Sequence, residues 1–233
     1  MLKTWLLAVV LLAAGPAWAD TTAVYKSPRL GGEMTIEIAA NGDVRATTGT
    51  RGDYVILRGG EVYMVFFTDK GPVVDRMSDV GAAMADWVRD KMPEFGKMPD
   101  GEFPDDKMID GGVVTVNGRA GKVWYLGLGG GQPSADFSIV ISTDPALADI
   151  GTAMVRQTEA SMLMMRQAMG GKHGLMGGTL DVLRTGTPLR LMTMELTSVT
   201  HTPIPAERFV LPAEPETREQ VRARFAANGG HIP

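Results

Sequence analysis

Hydrophobic and polar residues alternate along the segment 23–69, which is the pattern of half-buried β-strands. Three apolar residues alternate with charged or hydroxyl side chains in the first clear strand: Met34, Ile36 and Ile38. Asn41-Gly42 follows this strand and supplies the positive φ angles of a tight hairpin turn. Further short strands are predicted at 44–48, 54–57 and 62–67, with Gly59-Gly60 as the turn before the last. We therefore expect four consecutive antiparallel strands in this part of the chain.

The hydrophobic period changes to that of a helix in two places. After Asp75, apolar residues recur at spacings of three and four until Pro93, so we predict an amphipathic helix there. A second helix is predicted to begin at Asp144-Pro145, with aspartate as the N-cap and proline in the first turn. One stripe of this helix, about 120° wide, is predicted to be buried: Leu147, Ile150, Met154, Thr158, Met162, Met165 and Met169. A short C-terminal helix is predicted over residues 216–227.

The remaining elements are predicted to be strands joined by turns and one long loop. Strand patterns recur at 113–116, 122–126, 137–141, 179–183 and 189–199, and Asn117-Gly118 predicts a hairpin between the first two. The stretch 93–112 carries three prolines and a group of acidic residues, so we interpret it as a long acidic surface loop. The prediction is an α+β protein in which about nine to eleven antiparallel strands form a single curved sheet.

The first 19 residues have the organisation of a secretory signal peptide. Lys3 gives the positive start, an apolar run extends from Trp5 to Ala14, and Ala17-Trp18-Ala19 is a small-x-small cleavage site. We predict cleavage after Ala19, which leaves 20–233 as a single exported domain. No cysteine follows the cleavage site to carry a lipid, so we expect a periplasmic protein without a stable membrane anchor.

Composition and charge argue against several classes of function. The chain has 44% hydrophobic and 21% charged residues, as globular proteins do. It has no cysteine and three histidines, which excludes thiolate metal sites and thiol catalysis and leaves little for a histidine metal site. A formal net charge of −4 argues against nucleic-acid binding, which depends on clustered lysine and arginine. We predict no metal, no cofactor and no nucleic-acid partner.

The glycine clusters and the histidines lack the spacing of functional motifs. Gly127–Gly131 and Gly170–Gly178 do not have the Lys-Ser/Thr ending of a phosphate-binding P-loop. Neither a nucleophile elbow nor a Ser-x-x-Lys arrangement occurs in the sequence, so we do not predict an enzyme. His173, His201 and His231 have no metal-ligand spacing, and we interpret them as surface residues.

Methionine is unusually frequent in this chain, which has 16, five of them between Met154 and Met169. The methionine side chain is unbranched and polarizable, so a surface lined with it can repack around ligands of different shape. The same residues would also serve as the buried stripe of an ordinary core helix. The composition leaves both interpretations open.

Three strand-and-turn patterns and one C-terminal motif together resemble a known family. They are GEMTIEI at 32–38 with its hairpin to Arg45, YVILRGG at 54–60, VYMV at 62–65 and IPAERFVLP at 204–212. On these patterns the chain resembles the bacterial outer-membrane lipoprotein carrier superfamily (LolA/LolB-like fold), and in particular branches with no assigned activity. The resemblance spans most of residues 23–215. It implies an unclosed antiparallel barrel whose apolar concave face is covered by helices and can receive acyl chains.

The family resemblance implies that a lipid or other hydrophobic small molecule binds in the concavity between sheet and helices. The residues expected to line it are apolar positions on the strands and on the methionine-rich helix: Met34, Ile36, Met64, Phe66, Trp124, Met154, Met162 and Met165. A shift of one residue in the strand register would invert the strand faces.

One feature limits what the resemblance implies. The carriers have a functional arginine at the start of the second strand, where this chain has Ala39, Ala40 and Asn41, with Arg45 further along. The resemblance therefore implies ligand binding and leaves lipoprotein transfer open. The alternative hypothesis is a protein-interaction module without a ligand, which binds an envelope protein through the acidic loop Pro93–Asp110.

Overall fold

The computed structural model describes residues 20–27, 32–48, 52–94, 107–127, 138–169 and 177–229. These residues form one antiparallel sheet whose strands are β1 (Thr21–Lys26), β2 (Glu33–Ile38), β3 (Val44–Thr48), β4 (Tyr54–Arg58), β5 (Glu61–Thr68), β6 (Gly71–Arg76), β7 (Lys107–Val116), β8 (Arg119–Gly127), β9 (Ser138–Ser142), β10 (Thr187–Leu191) and β11 (Met194–Thr200). Their α-helices are α1 (Met77–Lys91), α2 (Ala148–Ala168), α3 (Gly177–Leu183) and α4 (Arg218–Ala227). Short 3-10 helices lie at Pro145–Leu147 and Ala206–Phe209.

The sheet is curved and open. Its strand order is β6-β5-β4-β3-β2-β1-β11-β10-β9-β8-β7, so β6 and β7 are its edges in the described part of the chain. Neighbouring strands are antiparallel throughout, and α2 packs across the concave face. The predicted α+β class, with one curved antiparallel sheet and helices over its concave face, is confirmed.

Two of the predicted hairpin turns have the expected backbone, and a third differs. Gly59 and Gly60 have φ of 59° and 85°, and Asn117 and Gly118 have φ of 47° and 82°, as two-residue turns of a twisted hairpin require. At the Asn41-Gly42 turn only the glycine has a positive φ. The amide of residue 39 bonds to the carbonyl of residue 43, so this connection is a longer loop than the predicted tight turn.

Three predictions of local structure were wrong. The predicted strand 179–183 is helix α3, whose buried residues 179, 180, 182 and 183 have helical spacing; a short apolar run does not separate helix from strand by periodicity. The predicted strand 189–199 is the hairpin of β10 and β11, turning at Met192 with φ 53°, a conformation that is uncommon outside glycine. The end of the predicted loop 93–112 belongs to β7, where the register shift between Asp110 and Val113 accommodates two glycines.

The largest group of buried apolar side chains lies between the concave face of the sheet and α2, and we call it the concave cluster. Its members on the sheet are Ala23, Tyr25, Ile36, Ile38, Val44, Ala46, Val55, Leu57, Val62, Val116, Val123, Val140, Leu189 and Leu196. Residues at the start of α2 fill its other side: Leu147, Ile150, Ala153 and Met154. Four methionines that are only partly buried pack against it: Met34, Met64, Met164 and Met194.

Helices α1 and α2 come into close contact at Gly81. A Cβ atom at this position would lie 3.1 Å from the Cα of Met164 and 2.6 Å from Oε1 of Gln167. A larger residue would therefore have to push the two helix backbones apart. As a result, the second half of α2 packs against α1, whereas the first half packs against the sheet.

The segment 201–217, which we call the C-terminal strap, contacts the convex face of the sheet. Glu37 of β2 alternates with residues of the concave cluster and so points to the convex side. There its Oε1 accepts hydrogen bonds from Nε and Nη2 of Arg208 at 3.0 and 2.8 Å. Further on, the N–H of Glu216 donates to the carbonyl of Val74 at 2.8 Å, which occupies part of the open edge of β6. The strap thus carries the chain around this edge to α4.

Candidate ligand-binding site

Four of the predicted lining residues lie together at the concave cluster. Ile36 and Met154 are inside it, with exposed fractions of 1% and 5%. Met34 and Met64 are partly buried and pack against it from β2 and β5. Strand pairing explains part of this grouping, because β2 and β5 present these side chains on the same face of one sheet.

The two methionines predicted near the end of α2 are placed differently. Met162 is partly buried, whereas Met165 is 43% exposed, so the latter does not lie beneath the helix. The predicted stripe assumed that the helix packs on the sheet along its whole length. Because α2 turns against α1 at Gly81, the buried side of its second half runs instead through Ala160, Met164 and Ala168.

Phe66 and Trp124 lie away from the centre of the concave cluster. Phe66 is buried on β5, opposite Val73 of the edge strand β6. Trp124 packs with Ile139 and Ile141 in a separate group that includes α3 residues. Its neighbour Val123 belongs to the concave cluster, and successive residues of a strand point to opposite faces. Trp124 is therefore on the other face of β8. This is the inversion that a shift of one residue in the strand register produces.

Sequence reasoning did not select Met164 and Met194 as lining residues, although both pack against the concave cluster. Met164 was missed because the buried side of α2 was extrapolated from its first turn. The contact with α1 changes which side of the helix is buried in its second half. Met194 was missed because the turn before it was not recognised. The only signal for Met164 was the glycine at position 81, which marks a close approach of helices.

The centre of the concave cluster contains one polar side chain, Tyr25, which is completely buried. Its hydroxyl donates a hydrogen bond to the carbonyl of Pro188 at 2.8 Å. Burial raises the pKa of Tyr25 far above its ordinary value, so the side chain stays neutral. This tyrosine is a satisfied core residue, and it gives the cluster no charge with which to bind a ligand.

A second apolar group joins α4 to α1, and we call it the α1–α4 cluster. It consists of Val80 and Ala83 of α1 with Val221 and Phe225 of α4. The ring of Trp87 meets the ring of Phe225 edge-on, with centroids 6.2 Å apart. Partly buried Met64 and Met164 pack against this group as well as against the concave cluster. The two apolar groups therefore meet at these two methionines.

A buried ion pair lies beside this junction. Asp75 of β6 is 1% exposed and stands opposite Met64 in the strand register. Its Oδ2 accepts a hydrogen bond from Nη2 of Arg224 on α4 at 2.5 Å, and Nε of Arg224 donates to Glu216 at 3.1 Å. The other carboxylate oxygen, Oδ1, is buried and has no hydrogen-bond partner among the described residues. Burial raises the pKa of Asp75, an effect that the hydrogen bond and charge of Arg224 oppose.

A surface cavity of about 380 Å³ lies apart from the concave cluster, beside the start of α2. Its lining includes Ser142, Asp144, Arg184 and Thr187. These polar groups already have partners within the protein, since Thr187 donates to the carbonyl of Leu147 at 2.6 Å and Arg184 pairs with acidic residues of α2 and α3. The polar side chains that line this cavity therefore form bonds within the protein.

The described residues contain no group of three or more potential metal ligands. Nδ1 of His201, an exposed residue, lies 3.2 Å from the hydroxyl of Thr21, which is buried at the start of β1. Several predicted features lie outside the described residues: the predicted signal peptide, both glycine-rich segments beyond their ends, most of the predicted acidic loop, His173 and His231.

Within the part of the chain that the structure describes, no helix has both the length and the apolar composition of a membrane span. Comparison of the chain with protein-family models, with curated proteins and with solved structures gave no significant match. The resemblance to the lipoprotein carrier superfamily therefore stays a prediction from the sequence.

Proposed function

We propose that this protein binds a lipid or another hydrophobic small molecule between the concave face of the sheet and α2, and that it acts in the periplasm as a carrier or receptor for that molecule. The observation that supports this most strongly is that four partly buried methionines pack against the concave cluster. A fixed core would be better served by leucine, whereas methionine can change rotamer and make room for a ligand at low cost.

The position of α2 supports the same proposal. Its first half is held to the sheet by buried Ile150 and Met154, and Arg156 donates to the carbonyl of Gly42 at 2.8 Å. Its second half is packed against α1 and exposes Leu163 and Met165. The second half can therefore adjust its packing around a bound ligand, while the first half stays anchored.

The binding energy in this proposal comes from burying apolar surface. Each buried methylene contributes about 0.8 kcal/mol, so about ten methylenes supply the roughly 8 kcal/mol of micromolar binding. For a series of saturated fatty acids we accordingly expect affinity to rise by about fourfold with each added methylene until the site is full. The proposal requires no charged partner for the headgroup, because the apolar side chains of the concave cluster supply the binding energy.

Adjacent methionines on α2 provide a direct test with a built-in control. Met164→Gln places an amide against the concave cluster, where it lacks a partner, and we expect it to weaken binding of a fluorescent fatty acid by about tenfold or more. Met165→Gln changes an exposed side chain on the same helix and should leave the affinity unchanged. The measurement is a fluorescence titration of delipidated protein, with thermal unfolding to verify that both variants fold.

Two results would contradict the proposal. One is an unaltered protein that does not bind the probe at micromolar concentration after delipidation. The other is equal weakening by both substitutions, because binding would then not depend on the side of α2 that faces the sheet.

A further inference from the structure

The C-terminal helix α4 covers the place where the two apolar groups meet. Val221 and Phe225 are its buried residues, and they pack against α1 next to Met64 and Met164. These two methionines are shared with the concave cluster, so α4 lies over one end of the proposed ligand site. If α4 moved away, this end of the site would be exposed to solvent.

The attachment of α4 is weak enough to be reversible. The helix has ten residues, and helices of this length are marginal in water without tertiary contacts. Apart from its two buried apolar side chains, most of its residues are exposed. Its other attachments are two ion pairs, Arg222 with Asp86 and Arg224 with Asp75. The gain from a buried ion pair such as Arg224–Asp75 is largely cancelled by desolvation. Undocking of α4 should therefore require much less free energy than global unfolding.

Loss of one partner of the Arg224–Asp75 ion pair would nevertheless favour release of α4. Asp75 is fixed on a strand of the sheet and is buried with one oxygen unpaired among the described residues. Without Arg224 this carboxylate would be a buried charge with no cation, and it would need water to reach it. Water can reach it when α4 leaves. Loss of the arginine is thus expected to favour the undocked state.

We propose that α4 is a releasable cover over the end of the ligand site formed by Met64 and Met164, and that the Arg224–Asp75 pair controls how often this cover opens. This inference rests on the proposed ligand-binding function. The C-terminal strap remains attached in the open state, because its contacts at Glu37 and Val74 lie outside the α1–α4 cluster. The strap therefore limits the motion to α4 and keeps it close enough to dock again.

Hydrogen exchange of the full chain measures the opening of α4 without any ligand. In Arg224→Gln we expect the α4 amides to exchange about tenfold faster or more, while the first half of α2 is unchanged. The matched control is Arg222→Gln, which removes an exposed ion pair with Asp86 between the same two helices and should leave exchange in α4 nearly unchanged. Equal exchange of α4 in the two variants would overturn the proposed role of the buried pair.

Stopped-flow mixing with a fluorescent fatty acid tests whether this opening admits ligand. We expect faster association with Arg224→Gln than with the unaltered protein, and no change with Arg222→Gln. Faster exchange of α4 without faster association would overturn the cover. If the unaltered protein does not bind the probe at all, the proposed ligand-binding function fails, whereas the exchange result on α4 still stands.

A cross-link provides the opposite test and does not depend on the folding of the Arg224 variant. The chain has no cysteine, so Asp86→Cys with Arg222→Cys can be joined selectively by a short bis-maleimide. The side chains of these positions are in ion-pair contact across α1 and α4, at 3.6 Å. We expect the linked protein to take up the fatty acid several times more slowly than the same variant without the linker. An unchanged association rate would overturn the cover.

Discussion

Replacing Ile150 by alanine is expected to lower the free energy of unfolding by about 3–4 kcal/mol. The side chain is completely buried at the start of α2, where it contacts the concave cluster, and its removal leaves a cavity between helix and sheet. The cost has two parts, the lost transfer of the removed methyl and methylene groups and the cavity that the rigid sheet cannot close. Urea unfolding measures the effect.

Leu163→Ala on the same helix is the matched control for this prediction. Leu163 is 51% exposed, so its truncation should change the free energy of unfolding by less than about 0.5 kcal/mol. The cavity in Ile150→Ala lies in the proposed ligand site. Saturating fatty acid should consequently raise the stability of this variant, since a ligand that binds only the folded state stabilises it by mass action. Similar losses in the two variants would contradict the packing of α2 on the sheet.

Replacing Arg224 by methionine is expected to cost about 3 kcal/mol of unfolding free energy at neutral pH, because it leaves Asp75 as an unpaired buried carboxylate. Arg224 remains partly open to solvent, so we expect the lower end of the usual range for a broken buried pair. Asp75→Asn in the same chain should recover most of the loss, since the amide removes the buried charge. Chemical unfolding of the single and double variants measures the coupling.

The loss in Arg224→Met should depend on pH in a definite direction. Burial raises the pKa of Asp75 and Arg224 lowers it, while Glu216 of the strap and Asp79 of α1 raise it further. While α4 stays docked, loss of the arginine raises the pKa of Asp75 further, so the docked folded state binds a proton more tightly than the unfolded state does. The free energy of unfolding then increases as the pH falls through the interval between the raised and the ordinary pKa of aspartate. A loss that stays constant from neutral pH into that interval would show that Asp75 is not the source.

The strand order of the first half of the sheet could be predicted because its signals are local. Apolar residues alternate along β2, and the glycine pair between β4 and β5 favours a tight turn with positive φ. The edge strand β6 was missed because it follows β5 after a two-residue turn and leads directly into α1. Its Asp75 also breaks the apolar pattern, and nothing in the local sequence indicates that Arg224, far along the chain, neutralises it.

The residues of the candidate site could be predicted only where their burial depends on a single contact between neighbouring elements. Met34, Ile36 and Met154 follow directly from strand alternation and from the first turns of α2. The exposure of Met165 could not be predicted in this way, because the contact of Gly81 with α2 determines which side of the helix is buried in its second half. The face on which Trp124 lies depends on the register of β8 with β9, and a change of one residue would place Trp124 on the concave face. Long-range packing of this kind leaves little trace in a local hydrophobic pattern.

Quenching of tryptophan fluorescence by a brominated fatty acid tests the central claim most directly, because bromine quenches only a nearby indole. The chain has four tryptophans, and protein that begins at Asp20, after the predicted cleavage site, retains only Trp87 and Trp124. Trp87 packs beside the two methionines at the end of the proposed site, whereas Trp124 lies on the other face of β8. Removing each in turn gives two single-tryptophan proteins. We expect saturable quenching of Trp87 and little of Trp124; quenching of Trp124 alone, or of neither, would contradict a ligand site at the concave cluster.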